Sequence, residues 1–227
     1  MIPVSSAIET SIARESSATR QRILLFSPIL VILICQITAR IVAPLFGDLS
    51  IYPWLLVYWA VTGGLILWAG GPAAIRRWAG KPRGSWLWSA LALLLIPLTF
   101  PIFLDGWQLL QSGWLWLPWL LFPPINSLFE EGYWRGLLYD TTRRWPGWAI
   151  IVYSSLFFAL NHLSLGVFIP LYRSPFSIMT PIMAGLVFGV VYSKTGSLRW
   201  VILSHTIVNW LSLGILVLLN IYVPVTP

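Results

Sequence analysis

The chain has 227 residues, of which 58% are hydrophobic, 15% aromatic and only 9% charged. A soluble domain carries about 25% charged residues, so an ordinary water-soluble enzyme is excluded, and the apolar excess also excludes intrinsic disorder. The formal net charge of +7 reads as a membrane-topology signal, because basic residues mark the cytoplasmic loops of membrane proteins, and no nucleic-acid partner is expected.

Residues 1–22 form a polar N-terminal segment with Arg14, Arg20 and Arg22. A hydrocarbon core of about 30 Å needs about 20 apolar residues per helix. On that criterion candidate spans fall at 23–45, 51–69, 86–104, 114–139, 148–166, 177–193 and 199–221. The expected fold class is all-α: a polytopic membrane helical bundle of about seven transmembrane helices. Residues 23–221 would form one transmembrane domain. The first run is too long for a cleaved signal peptide and shows no small-residue cleavage site, so it reads as an uncleaved span. The single cysteine, Cys35, excludes a disulfide framework and reads as a small buried or lipid-facing hydrophobe.

Further along, Gly63, Gly64, Gly185 and Gly189 suggest close helix packing, the last two as a GxxxG. Trp86, Trp88, Trp114 and Trp116 suggest interfacial anchors. Pro118, Pro123 and Pro124 suggest kinks in the fourth span. Met179 and Met183, one turn apart, are expected to pack in the sixth. Asp140, Arg143 and Arg144 read as a solvated interfacial run.

The loop charges predict an orientation. In a seven-span map the N-terminal segment and the second, fourth and sixth connections share one side. They hold three, four (Arg76, Arg77, Lys81, Arg83), two (Arg143, Arg144) and two (Lys194, Arg199) basic residues, eleven of the fourteen. The opposite loops hold Asp48, Asp105 and Arg173, with Arg40 near a span end. The positive-inside rule then predicts an integral membrane protein with a cytoplasmic N-terminus and an external C-terminus.

Ionisable residues inside a span cost at least about 2.5 kcal/mol each on insertion scales, so an intramembrane cluster is a functional-site hypothesis. Both histidines, His162 and His205, fall in apolar spans, as do Glu130, Glu131 and Arg135. Glu131 and Arg135 are four apart, on one helix face and in the acid-first order that favours an ion pair. Glu130 lies about 100° around the helix, which leaves one carboxylate paired and the other free for chemistry. His205 and Asn209 share a face by the same spacing, and Phe158 lies one turn before His162. Measured along the helices from Arg143, Arg144 and Arg199, the three sites are expected on the cytoplasmic side of mid-membrane or close to it. A competing structural use is a capping box, Ser127 with Glu130, at a helix restarting after the prolines. Two His and a Glu could also make a three-ligand zinc site, although the HExxH helix is absent.

Glu130-Glu131-Gly-Tyr-Trp-Arg135 fits EExxxR, Phe158-Ala-Leu-Asn-His162 fits FxxxH, and His205-Thr-Ile-Val-Asn209 fits HxxxN. In this order, in three apolar helices, the motifs resemble the CPBP family: CAAX prenyl endopeptidases of the Rce1 type and the bacterial bacteriocin-processing or immunity (Abi) homologues. The resemblance covers about 130–210 and implies a glutamate-dependent intramembrane endopeptidase of a bacterial cell membrane, with its catalytic core at about 114–221. By the family pattern Glu130 is general base on a water that His162 also holds, His205 and Asn209 stabilise the oxyanion, and Glu131 with Arg135 orients the site. Phe158 would wall the pocket. The resemblance favours no cofactor, with zinc on Glu130, His162 and His205 as the alternative. The expected partners are the bilayer and a membrane-embedded or lipidated peptide substrate. Two other functions remain open on the residues alone: a transporter with a Glu/His proton relay, and a non-catalytic immunity or scaffold protein keeping a structural polar network.

Overall fold

A computed structural model describes residues 18–111, 113–175 and 177–224 in full, and the backbone alone of residues 4–17 and 176. The Arg14 side chain of the expected basic N-terminal segment lies outside the described residues. Eleven α-helices and no strand occur among the described residues, so the fold is an all-α membrane helical bundle. In chain order these are α1 Val4–Phe46, α2 Ile51–Leu65, α3 Gly71–Trp78, α4 Trp86–Leu93, α5 Ile96–Gly106 and α6 Trp116–Glu131. They continue as α7 Leu138–Thr141, α8 Gly147–His162, α9 Phe176–Thr195, α10 Arg199–Leu211 and α11 Gly214–Leu218.

Each of the seven sequence candidates falls on helix, but not every one is a single rod. Four helical stretches are long and apolar enough to cross a membrane: Ala18–Trp78, Trp86–Gln111, Gly147–Val167 and Ser177–Thr195. The first of these contains the first two candidates, joined by the short 3-10 turn Gly47–Ser50. The third candidate is α4 and α5, interrupted ahead of Pro97, whose missing N–H and ring disfavour a continuous helix. The last candidate, expected as one run over 199–221, is broken after α10: Leu213 sits at φ 52° and α11 starts beyond it. At 1.5 Å per residue, the 13 residues of α10 span only about 20 Å, short of a hydrocarbon core.

Lipid as solvent explains where apolar side chains go. On α1, Phe26, Leu30, Leu33, Ile37, Ile41 and Leu45 are exposed, while Leu24, Val31, Cys35 and Val42 are buried. Both stripes are apolar, as expected when lipid covers the outside and helices cannot associate by a hydrophobic preference. Close packing and internal hydrogen bonds act instead. The most extensive helix pair is α8 with α9, where a Cβ on Gly185 would lie 2.8 Å from the Ser155 Cβ and one on Gly189 would meet Tyr139 and Ile151. Gly63 similarly admits Phe129, whereas Gly64 faces open space and has no packing role. Met179 and Met183, expected in the packed side of the sixth span, are instead exposed, because α9 turns its glycine face inward. Trp86, Trp88, Trp114 and Trp116 are all exposed, as interfacial anchors would be.

The two ends of the bundle differ in charge. At one end Gln21 Nε2 donates to Thr141 O (3.0 Å), Arg199 Nε to Ala79 O (2.6 Å) and Ser197 Oγ to Gly80 O (2.7 Å). These contacts gather four of the basic regions at one end. Asp140 is a hub there rather than part of a merely solvated run. It pairs with Arg77 and with Arg143 (2.8 Å) and accepts from Trp78 Nε1 (2.9 Å). At the other end Asn220 Nδ2 donates to Asp48 Oδ1 (3.0 Å) and Phe168 O (3.1 Å), and the Tyr222 hydroxyl meets Asp105 Oδ2 at 2.8 Å.

Candidate active site

α6 runs unbroken from Trp116 to Glu131, through Pro123 and Pro124. Ser127 is therefore mid-helix and cannot cap a restarting helix; its hydroxyl has no hydrogen-bond partner among the described residues. The irregularity comes one step later, as a wider π-helical turn over Gly132–Leu137. Such turns are rare and frequent at functional sites.

Three residues between the motif's acid pair and arginine hold that turn. Tyr133 shares a hydrogen bond with Ser27 Oγ at 2.7 Å, and Trp134 Nε1 donates to the Tyr58 hydroxyl at 2.8 Å. Ser154 Oγ donates to the Trp134 carbonyl at 2.6 Å, and a Cβ on Gly132 would lie 3.0 Å from Ile66. α1, α2 and α8 thus clamp the turn through fully desolvated groups. Sequence reading left these positions as spacers; their aromatic and glycine character was visible, but their partners are distant in the chain.

The acid pair is sorted as the helix geometry predicts. Glu131 and Arg135 are 3.1 Å apart with neither side chain exposed, and neither lines the cavity that Glu130 faces. Glu131 Oε1 also accepts from His205 Nδ1 at 2.7 Å. A carboxylate only accepts, so Nδ1 carries the proton and Nε2 is directed elsewhere. That nitrogen lies 3.5 Å from Glu130 Oε2. Arg135 also stacks its guanidinium 4.3 Å from the Phe158 ring centroid and 5.9 Å from that of Phe188.

α6 and α10 are held in register above this contact by an exchange of indole bonds. Trp119 Nε1 donates to Trp210 O (2.9 Å) and Trp210 Nε1 to Leu120 O (3.3 Å). On α8, Phe158 contacts the His162 ring edge-on at 4.8 Å. His162 Nδ1 faces the Phe158 carbonyl at 2.9 Å. That carbonyl can only accept, so Nδ1 is the protonated nitrogen and Nε2 presents a lone pair. Tyr172 stacks on the other side of the imidazole at 6.0 Å.

Glu130, Phe158, His162, His205 and Asn209 line one cavity of about 350 Å³. Asn126, Asn161 and Tyr172, not selected from the sequence, line it too. Asn126 is one turn before Glu130, and its Oδ1 accepts from Trp59 Nε1 at 3.0 Å. Asn209 Nδ2 has no hydrogen-bond partner among the described residues. The remaining walls are mostly apolar, including Ile51, Trp54, Ile102, Leu165 and Leu218. The cavity therefore runs from Glu130 toward the end of the bundle opposite the arginines. His162 closes the 16-residue helix α8, 15 residues beyond its start at the basic end, which is roughly 22 Å of rise. It lies in the half of the bundle away from the basic end, deeper than the loop-distance reading suggested.

A zinc ion would need three of these donors converging with metal–ligand distances of about 2.0–2.2 Å. Among the described residues no group of three or more His, Cys, Asp or Glu side chains converges that way. Glu130, His162 and His205 share the cavity without forming such a set.

With this geometry in view, residues 111–211 match the model of the Rce1-like family, described as type II CAAX prenyl endopeptidase Rce1-like. No curated protein and no solved structure matches the chain. The matched stretch contains α6, the π-helical turn and α7 to α10, which carry every residue of the three motifs. Over residues 111–211, then, the chain is similar to the Rce1-like type II CAAX prenyl endopeptidase family.

Proposed function

We propose that the protein is an intramembrane endopeptidase in which Glu130 activates a water against a peptide bond of a membrane-embedded or lipidated substrate. One observation carries the reading. Glu130 faces the same cavity as His162, His205 and Asn209, while its neighbour Glu131 is buried behind it on Arg135 and His205.

In this mechanism the water donates one hydrogen bond to the Glu130 carboxylate and one to the Nε2 lone pair of His162. Glu130 takes a proton as the water oxygen bonds to the scissile carbonyl carbon, and the carbonyl oxygen becomes the oxyanion. Asn209 Nδ2 donates to it. His205, with Nδ1 on Glu131, donates from Nε2 when its imidazole is protonated. Glu130 then returns the proton to the amide nitrogen as the carbon–nitrogen bond breaks, leaving an acid and an amine. Donors fixed in a dry pocket stabilise such charge by about 3 kcal/mol each. Glu131 and Arg135 act as positioning residues: they fix the His205 ring and stack beneath Phe158.

The apolar cavity walls support a substrate that is itself lipidated or membrane-embedded. Their placement supports entry from the end opposite the arginines. Under the positive-inside rule, the basic end supports a cytoplasmic N-terminus and access from the outer face. The test is cleavage of membrane-tethered and lipidated peptides by the purified protein in detergent, beside Glu130→Ala. Cleavage by the parent protein and none by the variant supports the reading; equal cleavage by both overturns it.

A further inference from the structure

A second cavity, of about 790 Å³, opens at the basic end. Its rim carries Arg20 from α1, Arg77 from α3, and Arg143 and Arg144 beyond α7, with Asp140 among them. Its floor is apolar, including Leu24, Ala69, Ala73 and Leu137. Asp140 is shared between Arg77 and Arg143. Arg20 and Arg144 have no ion pair among the described residues. The cavity therefore holds two guanidiniums with no ion pair among the described residues, beside the apolar side chains of Leu24 and Leu137, at a helix-bundle end where lipid headgroups lie.

We infer that this cavity binds the headgroup of an anionic phospholipid, with the phosphate on Arg20 and Arg144 and the first acyl carbons against Leu24 and Leu137. A guanidinium fork matches phosphate oxygens bidentately. The small residues at 69–74 leave the room that a larger side chain would close. The Asp140 pairs hold Arg77 and Arg143 at the rim, so a headgroup meets an arranged site rather than a diffuse field. The site is separate from the Glu130 cavity and does not depend on the peptidase reading.

The experiment is native mass spectrometry of the full chain in non-ionic detergent. The probes are phosphatidylglycerol, phosphatidylcholine of the same acyl chains, and inorganic phosphate alone. Phosphatidylglycerol should be retained in preference to phosphatidylcholine. Arg20→Gln with Arg144→Gln should weaken it by about thirtyfold, at roughly fivefold per basic residue near a membrane surface. Lys81→Gln with Arg83→Gln removes two charges from the same end without touching the cavity and should leave retention within about twofold of the parent. Equal loss in both pairs would mean a diffuse surface potential and overturn the site. Equal retention of the two lipids would overturn the charge argument, and binding of phosphate alone with no lipid preference would overturn the lipid assignment. Elution profile and helicity check each variant's fold, and Arg144→Gln alone replaces the double variant if that one does not fold.

Discussion

Removing Arg135 is the most informative perturbation of the bundle's stability. Its guanidinium and the Glu131 carboxylate are 3.1 Å apart with zero side-chain exposure. An exposed pair at that spacing contributes about 0–1 kcal/mol. Taking one partner from a buried pair instead costs about 3–5 kcal/mol, because the other charge is left desolvated. Arg135→Met keeps the volume and leaves Glu131 with His205 alone, while the contact of the guanidinium with Phe158 at 4.3 Å is also lost. We expect about 3–5 kcal/mol of destabilisation, read from helicity lost on titration with denaturing detergent. Glu131→Gln combined with Arg135→Met removes both charges and should cost less than the sum of the single changes, by about 2 kcal/mol. A cost for Arg135→Met below about 1 kcal/mol, or strict additivity of the two changes, would refute the buried-pair argument.

Other consequences concern chemistry and packing. Glu130→Gln is nearly isosteric and lines the cavity, so it should keep the parent's stability and lose about 10²–10⁴-fold in cleavage rate; a variant that unfolds would show that Glu130 is structural. Asn209→Ala should lower kcat by about 10²-fold with little change in KM, and a pure KM effect would remove Asn209 from the oxyanion role. Gly185→Val must displace Ser155, which already lies 2.8 Å from a Cβ there; a loss of about 1–3 kcal/mol is expected, against none for Gly64→Ala. A chelator should leave cleavage unchanged, since the donors do not converge on one point, and loss restored by added zinc would revive the metal centre. Cysteines placed at Ser177 and Arg83 should react with an impermeant thiol reagent from opposite faces of sealed vesicles.

The residues proposed to carry the chemistry were legible because each is expensive in a membrane. An intramembrane acid, arginine or histidine survives only with a partner, so Glu130, Glu131, Arg135, His162 and His205 announced themselves by placement. Helical spacing then separated Glu131, which the structure pairs with Arg135, from Glu130, which it does not. The all-α architecture followed from run length. What hid was information carried by distant partners. Tyr58 and Ser27 hold the π-helical turn from helices far along the chain, and nothing in their own spacing marks them. Asn126 and Tyr172 join the cavity the same way. Breaks inside apolar runs were less visible: Leu213 leaves the helix between Ser212 and Gly214, a short turn signal inside a run that is otherwise long and apolar. The capping reading of Ser127 failed for a related reason: paired prolines need not end a helix when neighbouring elements support the freed carbonyls.

The central claim is that a water activated by Glu130 attacks the peptide carbonyl directly. A single turnover in heavy-oxygen water, with enzyme in excess over a membrane-tethered peptide, tests it most directly by mass analysis of both product and protein. Direct attack places one heavy oxygen in the new carboxylate of the product and none in the segment containing Glu130. Heavy oxygen in that segment, with ordinary oxygen in the product, would mean that Glu130 is itself the nucleophile and would contradict the account.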